Sequence, residues 1–588
     1  MWWNRPDVHN SNNYEDFGDA YNDELYEELA SKWAIDTTDR PYLAWVKNDL
    51  AENGWHHLRL LADFMSIGTV PQRWKEMDPK ADDPLRQQSN SQKTLNREKR
   101  FKKTKVSVLD YYETKVHRHE TVETPKDLRQ ELDRDPTDGV QFKLFVVEDL
   151  SSDVIEILGQ KLKIEPDVFR AHIADFAWYN VLDRWRDPPV LDVVSRSQNW
   201  MQMRYVTIRY FEKHEHFKEA VYESMDFNIL RRPDDDQSNK AFWDRQGAVV
   251  GLTRSRATFW LQPEDSQSKS KARIGVLLLD PTVTTGSPLW RGRRACWPTP
   301  EYPSRYPENP PKQGSFFDDF VFWAQQQEVF HKHTGTPPSR AHVPIQVLLH
   351  LISSEWLQMS DYIKTRLNQL DWELVKPDLF RQGKRVDDAL EKLHMWRRFI
   401  PLYREMVTET IQHVRAFPYR EFQASISRSQ SPMTPDYTRS WTGMSMSSTM
   451  QGSDQGRFNS IGEYETDFRV IQARLDEHQQ RIDRLTTVVT AAMTIEDSRL
   501  TLQDNHNIGR LTWLATFFIP FSLIAGVLSM QPDVGEISGG TFLVYFATSV
   551  PLSILIFFIG LTISQQKFKK ASLKATNIMK FASRPSLW

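Results

Sequence analysis

The chain has 588 residues and a formal net charge of −3, from 75 basic and 78 acidic side chains. This near-neutral balance gives no electrostatic reason to expect nucleic-acid binding, and a single cysteine, Cys296, excludes an intrachain disulfide. The sequence contains no phosphate-binding loop, dinucleotide fingerprint, zinc-protease helix or nucleophile elbow, so nothing in it predicts an enzyme or a resident cofactor.

Residues 1–135 form a polar, turn-rich and weakly periodic region that we expect to be partly disordered. Met1 is not followed by the apolar core of a signal peptide, so the region is expected to stay in the cytoplasm. Seven basic residues and one acidic residue lie between Lys93 and Lys105. This run is interpreted as a solvated basic linker, with a nuclear-localisation or anionic-lipid patch as the alternative.

Residues 136–423 are predicted to form a cytoplasmic α/β domain with a helical C-terminal part. Apolar and β-branched runs predict strands at Phe142–Val147, Tyr205–Phe211, Ala248–Leu252, Ala257–Leu261 and Ile274–Leu279. Ser151 is placed to cap a helix directly after the first strand. Helical spacing of apolar residues returns at Val347 and again at Val386, which predicts two helices packed on the sheet or leading toward a membrane.

Three His-x-His pairs are candidates for metal binding. They are His117 with His119, His214 with His216, and His331 with His333. On a strand such a pair shares one face and suits zinc, but no third ligand follows at a telling spacing. Surface histidines are the simpler interpretation, and the metal ligands of the chain stay unassigned.

Residues 424–458 are rich in Ser and Thr and are predicted to be a disordered linker. Residues 459–510 are predicted to be a stalk helix, because apolar residues follow the 3,4,3,4 spacing of a coiled-coil seam. The seam consists of Phe468, Ile471, Leu475, His478, Ile482, Leu485, Val489 and Ala492. Such a seam needs partner helices. Since no proline lies between Tyr464 and Leu511, the helix is expected to continue into the apolar segment that follows.

Two uncharged apolar runs, Leu511–Met530 and Thr541–Ile563, come next. At about 1.5 Å per residue each is long enough for the roughly 30 Å hydrocarbon core of a bilayer. Apolar side chains on every side of both runs argue against a pair of core helices in a soluble domain. We therefore predict transmembrane helices over 511–530 and 541–563, joined by a loop over 531–540.

The charges that flank these runs predict their orientation. Arg510 precedes the first run, and residues 564–588 form a basic tail without an acidic residue, so both termini are expected to be cytoplasmic. The loop carries Asp533 and Glu536 and no basic residue, which suits the outer side. The prediction is a multi-pass membrane protein; the plasma membrane is the working assignment, and vacuole and endoplasmic reticulum fit equally.

The string from Leu511 to Pro520, LTWLATFFIP, is followed by Leu528-Ser529-Met530, a short acidic loop and a second span. This arrangement resembles the CorA family of magnesium channels, especially its divergent fungal members. The resemblance implies a homopentamer in the lipid bilayer, with a cytoplasmic α/β domain, a stalk helix that becomes the pore-lining first span, and an outer second span.

The resemblance also implies transport of Mg²⁺, or of another divalent cation such as Zn²⁺, without enzymatic activity. The resemblance further implies closure by Mg²⁺ bound between cytoplasmic domains. The acidic runs Asp234–Asp236 and Asp318–Asp319 are therefore either solvated loops or regulatory cation sites.

Helical spacing back from the outer mouth of such a channel predicts the residues that face its pore. They are Ser522, Ile519, Ala515, Thr512, Leu511 and Ile508. Pro520 is expected to bend the helix, and the family also carries a proline there. The hydroxyl groups on this face either form polar rings in the pore or bond back to their own helix without any role toward an ion.

Ser529, Met530 and Gln531 stand where family channels carry Gly-Met-Asn at the outer mouth, and only Met530 is retained. Gln531 offers a carbonyl oxygen to a hydrated cation on a side chain one methylene longer than Asn. Asp533 and Glu536 follow in the acidic outer loop. The leading hypothesis is a divalent-cation channel with a degenerate selectivity motif, and the alternative is a nonconducting, membrane-anchored oligomeric scaffold of the same architecture.

Overall fold

A computed structural model describes most of the chain. The described residues are 37–70, 97–113, 115–174, 190–231, 233–236, 247–263, 272–289, 314–326, 342–375, 384–429, 459–530 and 542–559, with single positions at 31, 35, 185, 245, 302 and 540. They divide into two compact units, Met1–Leu379 with Asp388–Thr486 and Phe380–Asp387 with Thr487–Trp588. The architecture is the predicted one: an α/β domain, a long helix, and two C-terminal apolar helices.

The first unit is built around an eight-stranded sheet. Its strands are β1 Val106–Tyr111, β2 Val116–Arg118, β3 Phe142–Glu148, β4 Trp200–Phe211, β5 Pro233–Asp235, β6 Val249–Leu261, β7 Arg273–Leu279 and β8 Ser287–Pro288. The order across the sheet is β2-β1-β3-β7-β6-β4-β8, with β5 paired to β6. Only the β3–β7 pairing is parallel among the described strands.

Helices cover the sheet and extend from it. They are α1 Pro41–Ala44, which continues as a π-helix over Trp45–Ala51, α2 Arg59–Ile67, α3 Pro125–Asp133, α4 Ser152–Leu162, α5 Pro166–Ile173, α6 Asp192–Ser197, α7 His214–Met225, α8 Phe316–Ala324, α9 His342–Val375, α10 Lys384–Ser429 and α11 Asn459–Leu528. The last helix, α12, covers Phe542–Ile559.

The β3–α4 segment confirms the strand and the cap predicted from the sequence. Every residue of β3 is buried, the charged Lys143 and Glu148 as well as the apolar side chains. The Ser151 hydroxyl accepts a hydrogen bond from the amide of Val154 at 3.4 Å and so begins α4. Lys163, in the left-handed region with φ 54°, ends that helix.

β6 corrects another strand prediction. The two strands expected at Ala248–Leu252 and Ala257–Leu261 are one strand, Val249–Leu261, which pairs with β4 from Val249 to Trp260. The polar stretch between them was taken for a break. It stays in the sheet because its backbone pairs with β4 and its side chains find partners, as Arg256 does at 2.7 Å from the carbonyl of Ala171.

The domain begins well before residue 136, where its boundary was predicted. β1 pairs with β3 from Val106 opposite Val147 to Tyr111 opposite Phe142. Farther upstream, the amides of Tyr42 and Leu43 donate to the two carboxylate oxygens of Glu156 on α4, at 2.8 and 3.0 Å. The predicted boundary was wrong because these buried segments are short and separated by charged stretches. Residues 1–30 and 71–96 lie outside the described part.

The described part of the basic run, residues 97–105, also belongs to the folded domain. Arg97 donates to the carbonyl of Ile67 at 3.0 Å, and Lys103 lies 2.5 Å from the carboxylate of Asp149. Lys105 pairs with the buried carboxylate of Glu148. These cations are bound to the domain, so the interpretation as a solvated linker was wrong here.

The seam of the predicted stalk is buried within the chain. Phe468, Ile471, Leu475 and Ile482 are each 0% exposed. Polar contacts identify their surroundings: the Gln472 amide donates to Thr408 on α10 at 2.8 Å, and Arg481 donates to Asn368 on α9 at 2.7 Å. In the first unit, then, α9 and α10 supply the partners that the coiled-coil interpretation sought in other copies of the chain.

The α10 helix extends to Ser429, so the first six residues of the predicted linker are helical. The rest of that linker lies outside the described residues. α11 is unbroken from Asn459 to Leu528, as the absence of a helix breaker before Leu511 predicted, and it carries both the seam residues and the first apolar run.

The second unit contains the end of α11 and the helix α12, which pack as a hairpin. The rings of Trp513 and Phe557 lie 4.7 Å apart, and those of Phe521 and Tyr545 lie 6.2 Å apart. Both helices are long and apolar enough to cross a membrane, and only 6% and 11% of their most apolar stretches are buried. Because core helices of a soluble protein would be buried, this exposure supports an integral membrane protein.

Candidate pore site in the apolar hairpin

The predicted pore-lining residues share one exposed side of α11. Ile508 is 60% exposed, Leu511 70% and Ile519 62%, and Thr512, Ala515 and Ser522 are exposed as well. In the hairpin as it stands, none of the six is covered by α12. The side is therefore open to lipid, to water or to another chain.

A different side of α11 contacts α12. Trp513 and Phe521 make the ring contacts with α12, and Pro520 between them is buried. At about 100° per residue, these positions lie roughly opposite the exposed side that includes Thr512 and Ile519. One side of the helix thus belongs to the hairpin, and among the described residues no contact covers the other side.

Three hydroxyl groups between Ile508 and Ser522 bond back to their own helix. Thr512 donates to the carbonyl of Ile508 at 2.7 Å, Thr516 to that of Thr512 at 2.7 Å, and Ser522 to that of Ile519 at 2.9 Å. The sequence allowed two interpretations of these hydroxyl groups, polar rings in a pore or bonds back to the helix, and the structure has the second arrangement of hydrogen bonds. A hydroxyl whose proton is donated inward still presents oxygen lone pairs outward, so the exposed Thr512 and Ser522 oxygens offer acceptors rather than donors.

The C-terminal end of α11 coincides with the predicted outer mouth. The amide of Ser529 donates to the carbonyl of Ala525 at 2.9 Å, and that of Met530 to Val527 at 3.2 Å, so the helix closes in a turn. Met530 is 84% exposed. The end of a helix carries partial negative charge on its last carbonyl groups, which favours a cation nearby. Gln531, Asp533 and Glu536 lie outside the described residues.

Next to Pro520, Tyr545 on α12 makes a contact that was not predicted from the sequence. Proline lacks an amide hydrogen, so α11 loses one backbone bond at this point, and the helix nevertheless continues to Leu528. The Tyr545 hydroxyl on α12 donates to the carbonyl of the next residue, Phe521, at 3.2 Å. A spacing of four residues through Tyr545, Ser549, Ser553 and Phe557 was the available signal, because it marks one side of a helix.

Two of the candidate metal ligands in the α/β domain, His119 and His214, contact protein groups. His119 Nε2 lies 2.7 Å from the carboxylate of Asp110, and Lys143 occupies the nearby carboxylate of Glu131 at 2.7 Å. The ring of His214 stacks on Phe217. Among the described residues no group of three or more His, Cys, Asp or Glu side chains is arranged to hold a metal ion. His331 and His333 lie outside those residues.

Several carboxylates of the two acidic runs are buried or lie in a helix cap. The buried carboxylate of Asp236 accepts a hydrogen bond from the Tyr362 hydroxyl and lies 3.2 Å from Nε of Arg366. Asp319 is buried, and the amide of Asp318 donates to the Ser315 hydroxyl at 3.4 Å in the first turn of α8. The interpretation of Asp236 as part of a solvated loop was wrong, because its charge is matched by Arg366.

One buried ionic cluster joins α5, β6 and β7. Arg231 donates to Asp280 Oδ2 at 2.7 Å, and His172 Nε2 lies 3.4 Å from Asp280 Oδ1. Burial, followed by the charges of Arg231 and Arg256, lowers the pKa of His172 well below its ordinary value. His172 and Asp280 have no exposed side-chain surface, so no substrate reaches them and the cluster is structural.

Comparisons with known proteins find solved structures that are similar to this chain. No family model matches the chain, and no curated protein matches it. The chain is similar to the CorA magnesium transporter from Methanocaldococcus jannaschii, with 10% identity, 77% of this chain and 96% of that chain covered, and a TM-score of 0.34. It is similar to the full-length CmaX protein with 10% identity, coverage of 78% and 97%, and a TM-score of 0.34. At such identity no residue role passes from either protein to this chain.

Proposed function

We propose that this chain is a CorA-like channel that carries a divalent metal cation, Mg²⁺ first among them, through a pore lined by α11. The observation that carries the proposal is the division of α11 into two opposite sides. α12 covers the side with Trp513 and Phe521, while the side with Thr512 and Ile519 stays exposed in the hairpin. A pore formed by several copies of the helix leaves one such side uncovered in the single chain, where lipid-facing side chains such as Leu514 and Leu523 are exposed as well.

The chemistry of the exposed side suits a hydrated cation. The water shell of Mg²⁺ directs its hydrogens outward, and the ion gives up these waters reluctantly. Acceptor oxygens are what such a shell needs, and the inward-donating hydroxyls of Thr512 and Ser522 present acceptors. Ile519 and Ile508 alternate with them as apolar rings of the kind that gate by dewetting. The carbonyl end of α11 adds partial negative charge at the mouth.

Self-association is supported by the segment of α11 that precedes the hairpin. Val488, Ile495 and Leu502 repeat every seven residues and are 54%, 57% and 61% exposed. A heptad of exposed aliphatic side chains marks a helix that packs against other helices. We propose that copies of the same chain cover it, and the family resemblance makes a pentamer the expected number. Both termini are proposed to be cytoplasmic.

The altered outer motif favours a second candidate, a nonconducting oligomeric scaffold. Ser529 replaces the family glycine and Gln531 replaces the family asparagine. A longer, looser amide ring holds a hydrated ion less well, and serine lacks the backbone freedom of glycine at the turn. Both candidates share the oligomer and the membrane hairpin, and they differ only in whether ions pass.

Cation uptake into proteoliposomes separates these two candidates. The full chain, verified as an oligomer in the same vesicles, is expected to carry Mg²⁺ or one of Zn²⁺, Co²⁺ and Ni²⁺ down an imposed gradient. Empty vesicles provide the leak rate. If an intact oligomer carries none of the four ions, the channel proposal fails and the scaffold stands.

A further inference from the structure

One side of α12 carries a line of residues four apart that faces into the hairpin. Ser549 is 0% exposed and Ser553 is 3% exposed, while the flanking aliphatic and aromatic side chains of α12 are mostly exposed. Tyr545 and Phe557, at the two ends of the line, make the ring contacts with α11. Small residues between aromatic anchors allow two helices to approach closely in a membrane.

Within this line, Tyr545 forms a hydrogen bond to the backbone of the other helix. Its hydroxyl donates to the carbonyl of Phe521 at 3.2 Å, while its ring meets the ring of the same residue at 64°. Ser549, one turn farther along α12, uses its hydroxyl differently, since it donates to the carbonyl of Tyr545 at 2.6 Å within its own helix. Tyr545 therefore links two helices where Ser549 supports one.

The acceptor lies directly after the interruption that Pro520 makes in the candidate pore helix, whose orphaned carbonyl is that of Thr516, one turn earlier. Pro520 removes one amide donor from the backbone ladder of α11, and Phe521 is the next residue. Ile519 precedes the proline, and Ser522 follows Phe521, so two predicted pore-facing side chains flank the linked segment. A helix bends or turns most readily at such an interruption. A hydrogen bond from a neighbouring helix directly after the proline holds the C-terminal side of the interruption and so limits the bend.

We propose that Tyr545 is a positioning residue of the conduction pathway: its hydroxyl fixes α11 at Pro520 and thereby sets the direction in which Ser522 and Ile519 face. The proposal rests on the proposed channel function for its consequence in flux, but the positioning itself is a property of the hairpin. In a hydrocarbon environment without water, the Tyr545 hydroxyl has few other acceptors, which makes this link persistent.

The test replaces the hydroxyl and keeps the ring. Tyr545→Phe removes only the donor, and Ser549→Ala is the matched control, because it removes a buried hydroxyl from the same line without breaking an interhelical bond. Both are made in the full chain with Cys296→Ser, which leaves no native thiol. A single cysteine at Ser522→Cys then reports the aqueous accessibility of the pore-facing position, measured as its rate of modification by a charged thiol reagent in proteoliposomes.

Tyr545→Phe is expected to change the modification rate at Ser522→Cys by about threefold or more, the factor that an average interhelical hydrogen bond in a membrane protein is worth. Ser549→Ala is expected to leave the rate unchanged. In the background with native Ser522, Tyr545→Phe is expected to alter the ratio of Mg²⁺ to Co²⁺ uptake, which loss of folded protein alone does not do. Only the fraction that elutes at the wild-type oligomer size is reconstituted, so misfolded protein does not enter either measurement.

Equal modification rates in Tyr545→Phe, Ser549→Ala and the parent would overturn the positioning role. An equal change of the modification rate in both variants would also overturn it, because the loss of any buried hydroxyl from α12 would then have the same effect. If the parent carries no ion but Tyr545→Phe alone shifts the modification rate, the channel proposal fails and the positioning role stands. A shifted uptake ratio without a shift at position 522 would assign Tyr545 an effect elsewhere and refute the proposal.

Discussion

The Nε2 atom of His478 on α11 lies 3.1 Å from the carbonyl oxygen of Ser360 on α9, at a seam position where the neighbouring turns carry Leu475 and Ile482. The seam is buried, and His478 itself is 5% exposed. A neutral imidazole donates its Nε2 proton to this carbonyl without placing a charge among apolar side chains. The three-helix packing of the first unit is therefore built for the neutral form of His478.

Acid should weaken that packing. Burial, the largest effect, lowers the pKa of His478, and Arg481 and Lys364 lower it further, although the Ser360 carbonyl and Glu477 oppose them. Because the folded pKa lies below the unfolded value of about 6.5, the stability is fully present above that pH and is lost as pH falls toward the folded pKa. We expect the melting temperature to fall between pH 7.5 and 5.5.

The comparison of variants isolates the contribution of this histidine. His478→Leu should reduce the fall in melting temperature, since leucine continues the apolar seam, whereas the exposed His214→Leu should not. Circular dichroism of the full chain in detergent measures both. Since His172 titrates in the same direction, some pH dependence remains in every variant. Identical pH profiles for His478→Leu and the parent would contradict the prediction.

The buried pair of Asp236 and Arg366 predicts a large stability effect. Asp236→Asn leaves the Arg366 guanidinium buried without its carboxylate and alters the bond from Tyr362, so the unfolding free energy should fall by about 3–5 kcal/mol. Asp361→Asn is the control. Asp361 lies one residue before Tyr362 but forms an exposed pair with Arg474 at 3.5 Å, so it should cost less than about 1 kcal/mol. Urea unfolding measures both.

This variant also tests the regulatory-cation alternative for the acidic run. If Asp236 served a divalent cation, saturating Mg²⁺ would stabilise the parent and not Asp236→Asn. Since Arg366 already neutralises the carboxylate, we expect Mg²⁺ to leave the difference between the two proteins unchanged. A Mg²⁺-dependent difference would restore the cation site.

Local signals in the sequence predicted the elements whose structure depends on their own residues. They failed for elements whose position depends on a partner segment far away in the chain. The Ser151 cap and β3 are local, and both were correct. β1 was missed because its place depends on pairing with Val147, forty-one residues beyond Val106. The seam periodicity showed that one side of α11 is buried but not that α9 and α10 bury it. Tyr545 was missed because its partner is the backbone of another helix.

The two sides of the first span predict different responses to a cationic thiol reagent. In the Cys296→Ser background, Ile519→Cys places a thiol on the proposed pore side, and modification there should block most cation uptake by charge and bulk. Leu514→Cys places one at a position that is 60% exposed but off that side, and it should leave uptake unchanged. Block at both positions, or at neither, would contradict the assignment of the pore side.

The outer triplet predicts a gain of function. Gln531→Asn shortens the amide side chain by one methylene and restores the family residue, so uptake of Mg²⁺ should rise sharply above that of the parent. Gln531→Ala removes the carbonyl oxygen and should lower uptake or abolish it. Both are measured in proteoliposomes at equal oligomer density. If Gln531→Asn and Gln531→Ala behave alike, the amide is not a ligand of the hydrated ion and the outer mouth lies elsewhere.

Three exposed aliphatic residues at heptad spacing on α11, Val488, Ile495 and Leu502, predict where copies of the chain meet. Leu502→Glu introduces a charge into the proposed contact, and five copies would bring five carboxylates together, so the oligomer should dissociate. The side chain is 61% exposed in the single chain, so the substitution should leave the fold of each chain intact. Light scattering in detergent gives the assembled mass.

Leu500→Glu is the matched control for this prediction. Leu500 is 52% exposed and only two residues away, but it lies off the heptad line through Val488, Ile495 and Leu502. It should leave the assembled mass unchanged. Combining Leu502→Glu with Ile495→Glu should complete the dissociation, because two successive heptad positions of the contact then repel. An unchanged mass in the double variant would show that α11 does not form the contact below the hairpin, and the exposed heptad would need another partner.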